Sequence, residues 1–494
     1  MIPYVSEIIG LFNGKDYDTT IKRGLKYISG PLSKMDKANI CHYIGGACYN
    51  KMDLHGFIKW QMKAVEYAPA DLWQHRLRCW GNAIFTMHHL ADYTDEELAE
   101  AHFKSQEIVK DVPWMYDKKK MHKIATRKNT FPKRKLRIGY ISGDFVSSVN
   151  LTFAIQLLGS FDKTKFEVYA YNMNLKKDLA SEFVQGLVTK WCDISEMQPK
   201  EAATKICEDE IDILFDISLH CGSSNTLSVV AYKPAPIIVG GIGYMSTSGI
   251  KAVDYFLTDV YCDPVGMGDG HFSEKLLRLP HTHFCFTPRE YSRNFSVNEE
   301  IHKNITFGSL NDFRKLNDEV LNVWKTIMDN LPDSRLILQS SGADYLKDIV
   351  HGKLKAQGFD MARIEIRSAT NNYYATYNDI DIALDTYPYT GGATTFDALY
   401  MGVPVISRYG TRHGDRFGYS ILQNLGLGEL ATDTWDKYIE LAVNMANDRE
   451  LLKALHINLR TMLKKSPLMD ARLYVNSIEN KYIEIWHKFL QENK

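Results

Sequence analysis

The spacing of hydrophobic positions changes once along the chain, near residue 135. Up to about residue 112 apolar residues recur at helical spacing, with few β-branched runs, which predicts an all-α region. Inside it Gly14-Lys15-Asp16-Tyr17, Ile21, Leu25 and Pro31 echo Asp53-Leu54-His55-Gly56-Phe57, Ala64-Val65 and Ala68-Pro69, with the two prolines 38 positions apart. Two readings remain open: degenerate tetratricopeptide-like helix pairs, whose period is ~34 residues, or a plain helical domain with two proline-terminated helices. Beyond Lys135, short apolar strands alternate with helical segments: Leu136–Ile141, Phe166–Tyr171, Ile211–Phe215, Ile237–Gly240 and Tyr255–Leu257. Runs without polar alternation are strands covered on both faces, as in parallel sheets. The pattern restarts at Ile305–Phe307, with a helix around Val320 to Leu331, then Arg335–Leu338, Ile364–Ile366, Ile382–Leu384 and Val403–Ile406. Two doubly wound units joined near residues 287–302 are expected, with a cleft between them. From Thr434 the chain reads as helical to its end, with a terminal helix packing back across that cleft.

Between Asp117 and Lys135 the sequence is basic, with Lys118-Lys119-Lys120, Lys123, Arg127-Lys128 and Lys133-Arg134-Lys135. It has little of the aromatic interleaving on which single-stranded nucleic acid stacks, so a solvated linker is expected. The boundaries that follow are 1–116 helical, 117–134 basic linker, 135–295 first α/β domain, 296–470 second α/β domain and 471–494 terminal helix. With 59 Lys+Arg against 60 Asp+Glu the net charge is −1, so no global field draws a polyanion, and nucleic acid is not expected as a partner. The eight cysteines form no C-x-x-C pair and no Cys/His cluster of zinc spacing, which predicts reduced thiols in a cytoplasmic protein. The opening Met-Ile-Pro-Tyr-Val-Ser-Glu has no basic n-region and no apolar stretch approaches the ~20 residues that span a bilayer, so neither export nor membrane insertion is expected.

The strongest local signal is Asp385-Thr386-Tyr387-Pro388-Tyr389-Thr390-Gly391-Gly392-Ala393-Thr394-Thr395-Phe396-Asp397. A buried strand enters a glycine-rich turn and then a helix, where backbone amides and Thr hydroxyls can hold a diphosphate. The turn matches neither G-x-G-x-x-G nor a P-loop, which disfavours dinucleotide oxidoreductases and ATPases. Asp397 is expected in the first turn of that helix, as a cap or as a partner for a ribose diol. Asp379-Ile380-Asp381 has a D-x-D spacing but precedes a buried parallel strand, so it reads as a strand-start feature. Lys315 follows the first strand of the second α/β domain and would face the crevice at the carboxyl ends of the strands. His220 follows the strand ending at Asp216, and His413 follows Val405-Ile406; lone histidines are more often structural than catalytic.

Taken together, Arg137–Phe145, Lys233–Ile237, Gly243–Gly249, Tyr255–Asp259, Phe272–Leu276, Thr390–Leu399 and Ser466–Asp470 resemble the family of the O-linked N-acetylglucosamine transferase of nucleocytoplasmic proteins and its bacterial and SPINDLY-type relatives. The resemblance implies a GT-B glycosyltransferase: an α/β fold of two Rossmann-like domains preceded by an all-α tetratricopeptide-like region, truncated here. It implies inverting transfer of a sugar, N-acetylglucosamine first, from a UDP-sugar to Ser or Thr of a polypeptide, without metal or other cofactor. It assigns Lys315 to the donor diphosphate, Gly391, Gly392, Thr394 and Thr395 to the β-phosphate, Asp397 to the ribose, and His413 to a loop near the donor. A family His near the uracil falls at Tyr373, which can stack but not titrate near neutral pH. Two further family His positions fall at Ser148 and Thr152, leaving Asp144, His220 and the donor phosphate as candidates for removing the acceptor proton. Within the family an Asn glucosyltransferase or a GDP-fucose-using transferase is the alternative; outside it, a binding module that senses a sugar nucleotide. The helical region is a candidate for oligomer contacts.

Overall fold

The computed structural model describes residues 3–221, 224–340, 344–368, 370 and 372–494. The chain forms two compact units: residues 1–94 with 288–466, and residues 95–287 with 467–494.

The unit built from residues 95–287 and 467–494 holds a seven-stranded sheet: β1 Leu136–Ser142, β2 Phe166–Asn172, β3 Lys190–Asp193, β4 Ile213–Asp216, β5 Ile237–Gly241, β6 Tyr255–Asp259 and β7 Lys275–Leu279. Its order is β3-β2-β1-β4-β5-β6-β7. Every pairing is parallel, with Ile138 opposite Val168 on one side and Ile213 on the other. The central strands are wholly buried apolar runs, as expected for a sheet covered on both faces. The last helix, Ala471–Glu492, packs on this sheet, with the Tyr482 hydroxyl 3.1 Å from that of Tyr140.

The basic run is anchored to this unit rather than being a solvated linker. Lys118–Ala125 forms a helix capped by Asp117, Lys120 lies over the Tyr116 ring, and Arg134 holds Asp212 through two nitrogens at 2.7 and 2.6 Å. Lys120, Arg127 and Arg134 find acidic, thiol or aromatic partners that stand close only after folding, while the other lysines of the run are exposed.

The other unit joins the helical region up to residue 94 to the second sheet. Helices Pro3–Asn13, Tyr17–Ile28, Lys34–Asn50, Leu54–Tyr67 and Trp73–Met87 follow one another. The sequence echo marks equivalent helix starts, since Asp16 caps one helix through the Thr19 amide and Asp53 another through the Gly56 amide. Gly24 lets two helices close up, because a Cβ there would lie 2.6 Å from Ile44. The sheet comprises β8 Thr306–Ser309, β9 Arg335–Gln339, β10 Ile364–Arg367, β11 Ile382–Leu384, β12 Val405–Arg408 and β13 Ala431–Thr432, in the order β10-β9-β8-β11-β12-β13. Its pairings are also parallel. The fold is the mixed α/β, GT-B-like arrangement of two parallel sheets with an N-terminal helical region, although the compact units do not follow the linear borders at 116 and 134.

Strand order reverses between β1 and β4 in one sheet and between β8 and β11 in the other. In open parallel sheets such reversals, at the carboxyl ends of the strands, are where ligands bind. All the candidate residues that follow β1, β4, β8 and β11 therefore lie at switch points.

Candidate functional site

In the unit of the second sheet, β8 leads to Asn311 and Lys315, and β11 leads to Asp385 and the glycine turn. Lys315 Nζ donates to Asn311 Oδ1 and to the Thr390 carbonyl, both at 3.2 Å, and lies 3.7 Å from the centroid of the Tyr389 ring. Burial pulls its pKa down to about 8, with the carboxylates of Asp385 and Asp312 pulling the other way. Asp385 accepts from the Gly391 amide at 2.7 Å, the Thr386 amide at 2.9 Å and Ser407 Oγ at 2.7 Å. Its burial nevertheless raises its pKa to about 6. An ammonium held by two neutral acceptors can readily exchange one of them for a phosphate oxygen.

The turn itself shows why its residues differ. Gly391 has no room for a side chain, since a Cβ would meet Thr394 Oγ1 at 2.5 Å and Thr395 Oγ1 at 2.8 Å. Gly392, the residue before helix Ala393–Tyr400, faces open space within 4 Å and has no side-chain cap on its helix. The Ala393 and Thr394 amides at that helix end, which no side chain caps, are placed for an anion. Thr394 Oγ1 donates to Asn311 Oδ1 at 3.1 Å and so joins the Lys315 cluster. The Thr395 hydroxyl donates back to the Gly391 carbonyl at 2.9 Å and braces the turn.

Asp397 does not lie in the first turn of the helix, the place expected for it as a cap or a ribose partner: it is the fifth helical residue, counting from Ala393. Its buried carboxylate instead accepts from the hydroxyls of Tyr373, at 2.8 Å, and Tyr374. Burial raises its pKa to about 6, against those hydrogen bonds and the nearby Arg289. Tyr373 stands between Asp397 and the Arg289 guanidinium, 5.8 Å from its ring centroid. His413 is buried with its ring edge-on to Phe417, while the next carbonyl, of Gly414, accepts from Thr390 Oγ1 at 3.0 Å. The D-x-D pair is structural as expected: Asp381 accepts from the amides of His302 and Thr306, and Asp379 pairs with Arg367.

In the other unit Asp144 follows β1, and its Oδ2 accepts from Asn150 Nδ2 at 2.8 Å and Ser218 Oγ at 3.2 Å. Ser148 is the N-cap of helix Val149–Gly159, and the Thr152 hydroxyl donates to the Val149 carbonyl at 2.6 Å. Both hydroxyls, at the positions where the resemblance puts His, therefore serve the helix backbone. His220 follows β4, and its Nε2 lies 2.8 Å from the Ser248 carbonyl. Burial lowers its pKa to about 4, so it is neutral at pH 7. Since a carbonyl only accepts, Nε2 bears the hydrogen and Nδ1 the lone pair.

Among the described residues one set, Asp259, Cys262 and His283, gathers three potential metal ligands within 4.8 Å of one another. The Asp259 carboxylate already accepts from the amides of Tyr261, Cys262 and His283 and from His283 Nδ1, which suits a folded corner better than a metal.

Sequence reasoning missed Tyr389, His89, Tyr244 and His102. Tyr389 lies within the motif, but its place over Lys315 depends on the turn. His89, from the end of the helical region, sets its ring 5.1 Å from that of Tyr389, edge to face. No local pattern marks His89 or His102, because the tyrosines they meet, Tyr389 and Tyr244, are more than 100 positions away.

The model of the family described as glycosyl transferase family 41 matches residues 104–297 and 292–478. The SPINDLY protein of Petunia hybrida, named a probable UDP-N-acetylglucosamine–peptide N-acetylglucosaminyltransferase, is 31% identical over 418 residues, covering 83% of this chain and 44% of its own. The SEC protein of Arabidopsis thaliana, with the same activity in its name, is 26% identical over 371 residues, covering 72% of this chain and 37% of its own. The chain thus spans less than half the length of these curated relatives. Among solved structures, a mutant O-GlcNAc transferase of Thermobaculum terrenum shares the fold with a TM-score of 0.75, at 24% identity and full coverage of both chains.

Proposed function

We propose that this chain, a member of glycosyl transferase family 41 by a match reaching from residue 104 to 478, is an inverting protein glycosyltransferase. It would move N-acetylglucosamine from a UDP-sugar to Ser or Thr of a polypeptide, in the cytoplasm and without a metal. The observation that carries this reading is the β8/β11 switch point, where Lys315, Thr394 and an uncapped helix end are gathered around space left by Gly392. Such a cluster suits the two negative phosphates of a nucleotide sugar.

In the reaction the acceptor oxygen bonds to the anomeric carbon, the bond from that carbon to the diphosphate breaks, and charge grows on the leaving oxygen. Lys315 and the helix amides stabilise that charge where it develops. Tyr373 offers a ring to the base, and Asp397 a carboxylate to the ribose. His220 Nδ1 takes the acceptor proton, a contribution of ~10²–10⁴-fold in well-placed cases. Asp144 ties the loop after β1 to Ser218, in the segment that leads to His220.

Incubation with a Ser/Thr peptide library and UDP-N-acetylglucosamine, UDP-glucose or GDP-fucose, read by intact mass, tests the reading. An N-acetylhexosamine increment on a hydroxyl side chain is expected. An increment only from GDP-fucose, or only on Asn, moves the enzyme elsewhere in the family, while binding without any increment makes it a sensing module.

A further inference from the structure

The helix Asp95–Phe103 and the loop Gly243–Gly249 lie in the same unit and touch at two points. His102 Nδ1 is 2.6 Å from the Leu98 carbonyl, and its Nε2 is 2.7 Å from the Tyr244 hydroxyl. Gly249, at φ +70°, lies against the His102 carbonyl, so a Cβ there would be 1.9 Å from that oxygen. Because the Leu98 carbonyl can only accept, Nδ1 of His102 carries the hydrogen. Burial pulls the His102 pKa down to about 3, the neighbouring His220 adding to the effect, so the ring is neutral and Nε2 accepts from Tyr244. The Tyr244 ring in turn flanks His220, with centroids 5.3 Å apart, and the same loop supplies the Ser248 carbonyl that orients His220. Glu274 clamps the loop from below, accepting from Thr247 Oγ1 at 2.5 Å and the Ser248 amide at 2.8 Å.

We propose that His102 is a positioning residue for His220, acting through the Tyr244 hydroxyl and the loop that carries Ser248. The Ser248 carbonyl, on the loop that Tyr244 ties to His102, accepts the Nε2 hydrogen of His220. It leaves His220 with its lone pair on Nδ1, the atom that takes the acceptor proton. The proposal rests on that role of His220. Among the described residues, the titratable groups that ring contacts and hydrogen bonds place at the two imidazoles include each other and the Tyr244 phenol, with Glu274 one hydrogen bond further along the loop.

The test uses the full chain labelled with ¹⁵N in its imidazoles, with His220→Gln to assign the resonance. Wild type is expected to show His220 as the Nε2–H tautomer across about pH 6 to 8. Tyr244→Phe, which keeps the ring but removes the donor, is expected to give a tautomer mixture and a kcat lower by about 10- to 100-fold, with KM for the donor unchanged. His102→Leu should match it, and His102→Gln, which restores an acceptor, should recover most of the loss. If Tyr244→Phe retains both the Nε2–H tautomer and the wild-type kcat, the proposal is overturned. If wild type transfers no sugar, the function is wrong, and the tautomer in Tyr244→Phe still decides whether His102 positions His220.

Discussion

A Cβ on Gly391 would press on two threonine hydroxyls, whereas one on Gly392 would enter open space. Gly391→Ala should therefore destabilise the protein by about 1–3 kcal/mol, as overpacking does. Gly392→Ala should leave thermal stability unchanged and weaken UDP binding, and calorimetry of both variants separates the two effects. For Lys315→Met, loss of a charge-assisted hydrogen bond of ~1.5–3 kcal/mol should lower turnover about 10- to 150-fold. The buried carboxyl of Asp397 makes a pH prediction. Its folded pKa, raised by burial to about 6 from an ordinary 3.8, favours the protonated form. Its contribution to stability is complete below about pH 4 and lost as pH rises through about 6. Thermal melts from pH 4 to 8 should show the Tm difference between Asp397→Asn and wild type shifting toward the variant over that interval.

At the scale of elements, the helical region up to residue 94 is part of the second-sheet unit. Arg314, next to Lys315 in sequence, stacks 4.2 Å from the Tyr49 ring centroid and donates to Tyr345 at 2.8 Å, while Tyr345 donates to Asn50. A double-mutant cycle on Tyr49 and Arg314, read by denaturant unfolding, should give a coupling of about 0.5–2 kcal/mol, and a coupling near zero would mean the contact is incidental. Legibility in the sequence followed burial. Strands covered on both faces, such as Ile213–Asp216 and Ile237–Gly241, were plain as apolar runs. The strands Lys190–Asp193, Lys275–Leu279 and Ala431–Thr432 were not predicted, because they are short or polar edge strands with few buried positions. Lys315 and the glycine turn were legible because a strand's carboxyl end fixes where they point. His89 and His102 were not, since only tertiary contact brings them to Tyr389 and Tyr244.

At the scale of the molecule, a net charge of −1 leaves no general attraction for anions, so affinity for a nucleotide sugar has to be local. The proposed function concentrates it in Lys315 and the helix beginning at Ala393. No helix among the described residues is long and apolar enough to cross a membrane, and no disulfide joins the cysteines. The change of pattern between residues 112 and 135 marks a change of element type, while the compact units part at residue 94. The most direct measurement is UDP release from UDP-N-acetylglucosamine by wild type, Lys315→Met and His220→Gln, with and without acceptor peptide. The account predicts release by wild type that peptide accelerates and that both substitutions reduce at least about tenfold. Release equal in all three proteins, or none from wild type with any nucleotide sugar, would contradict it.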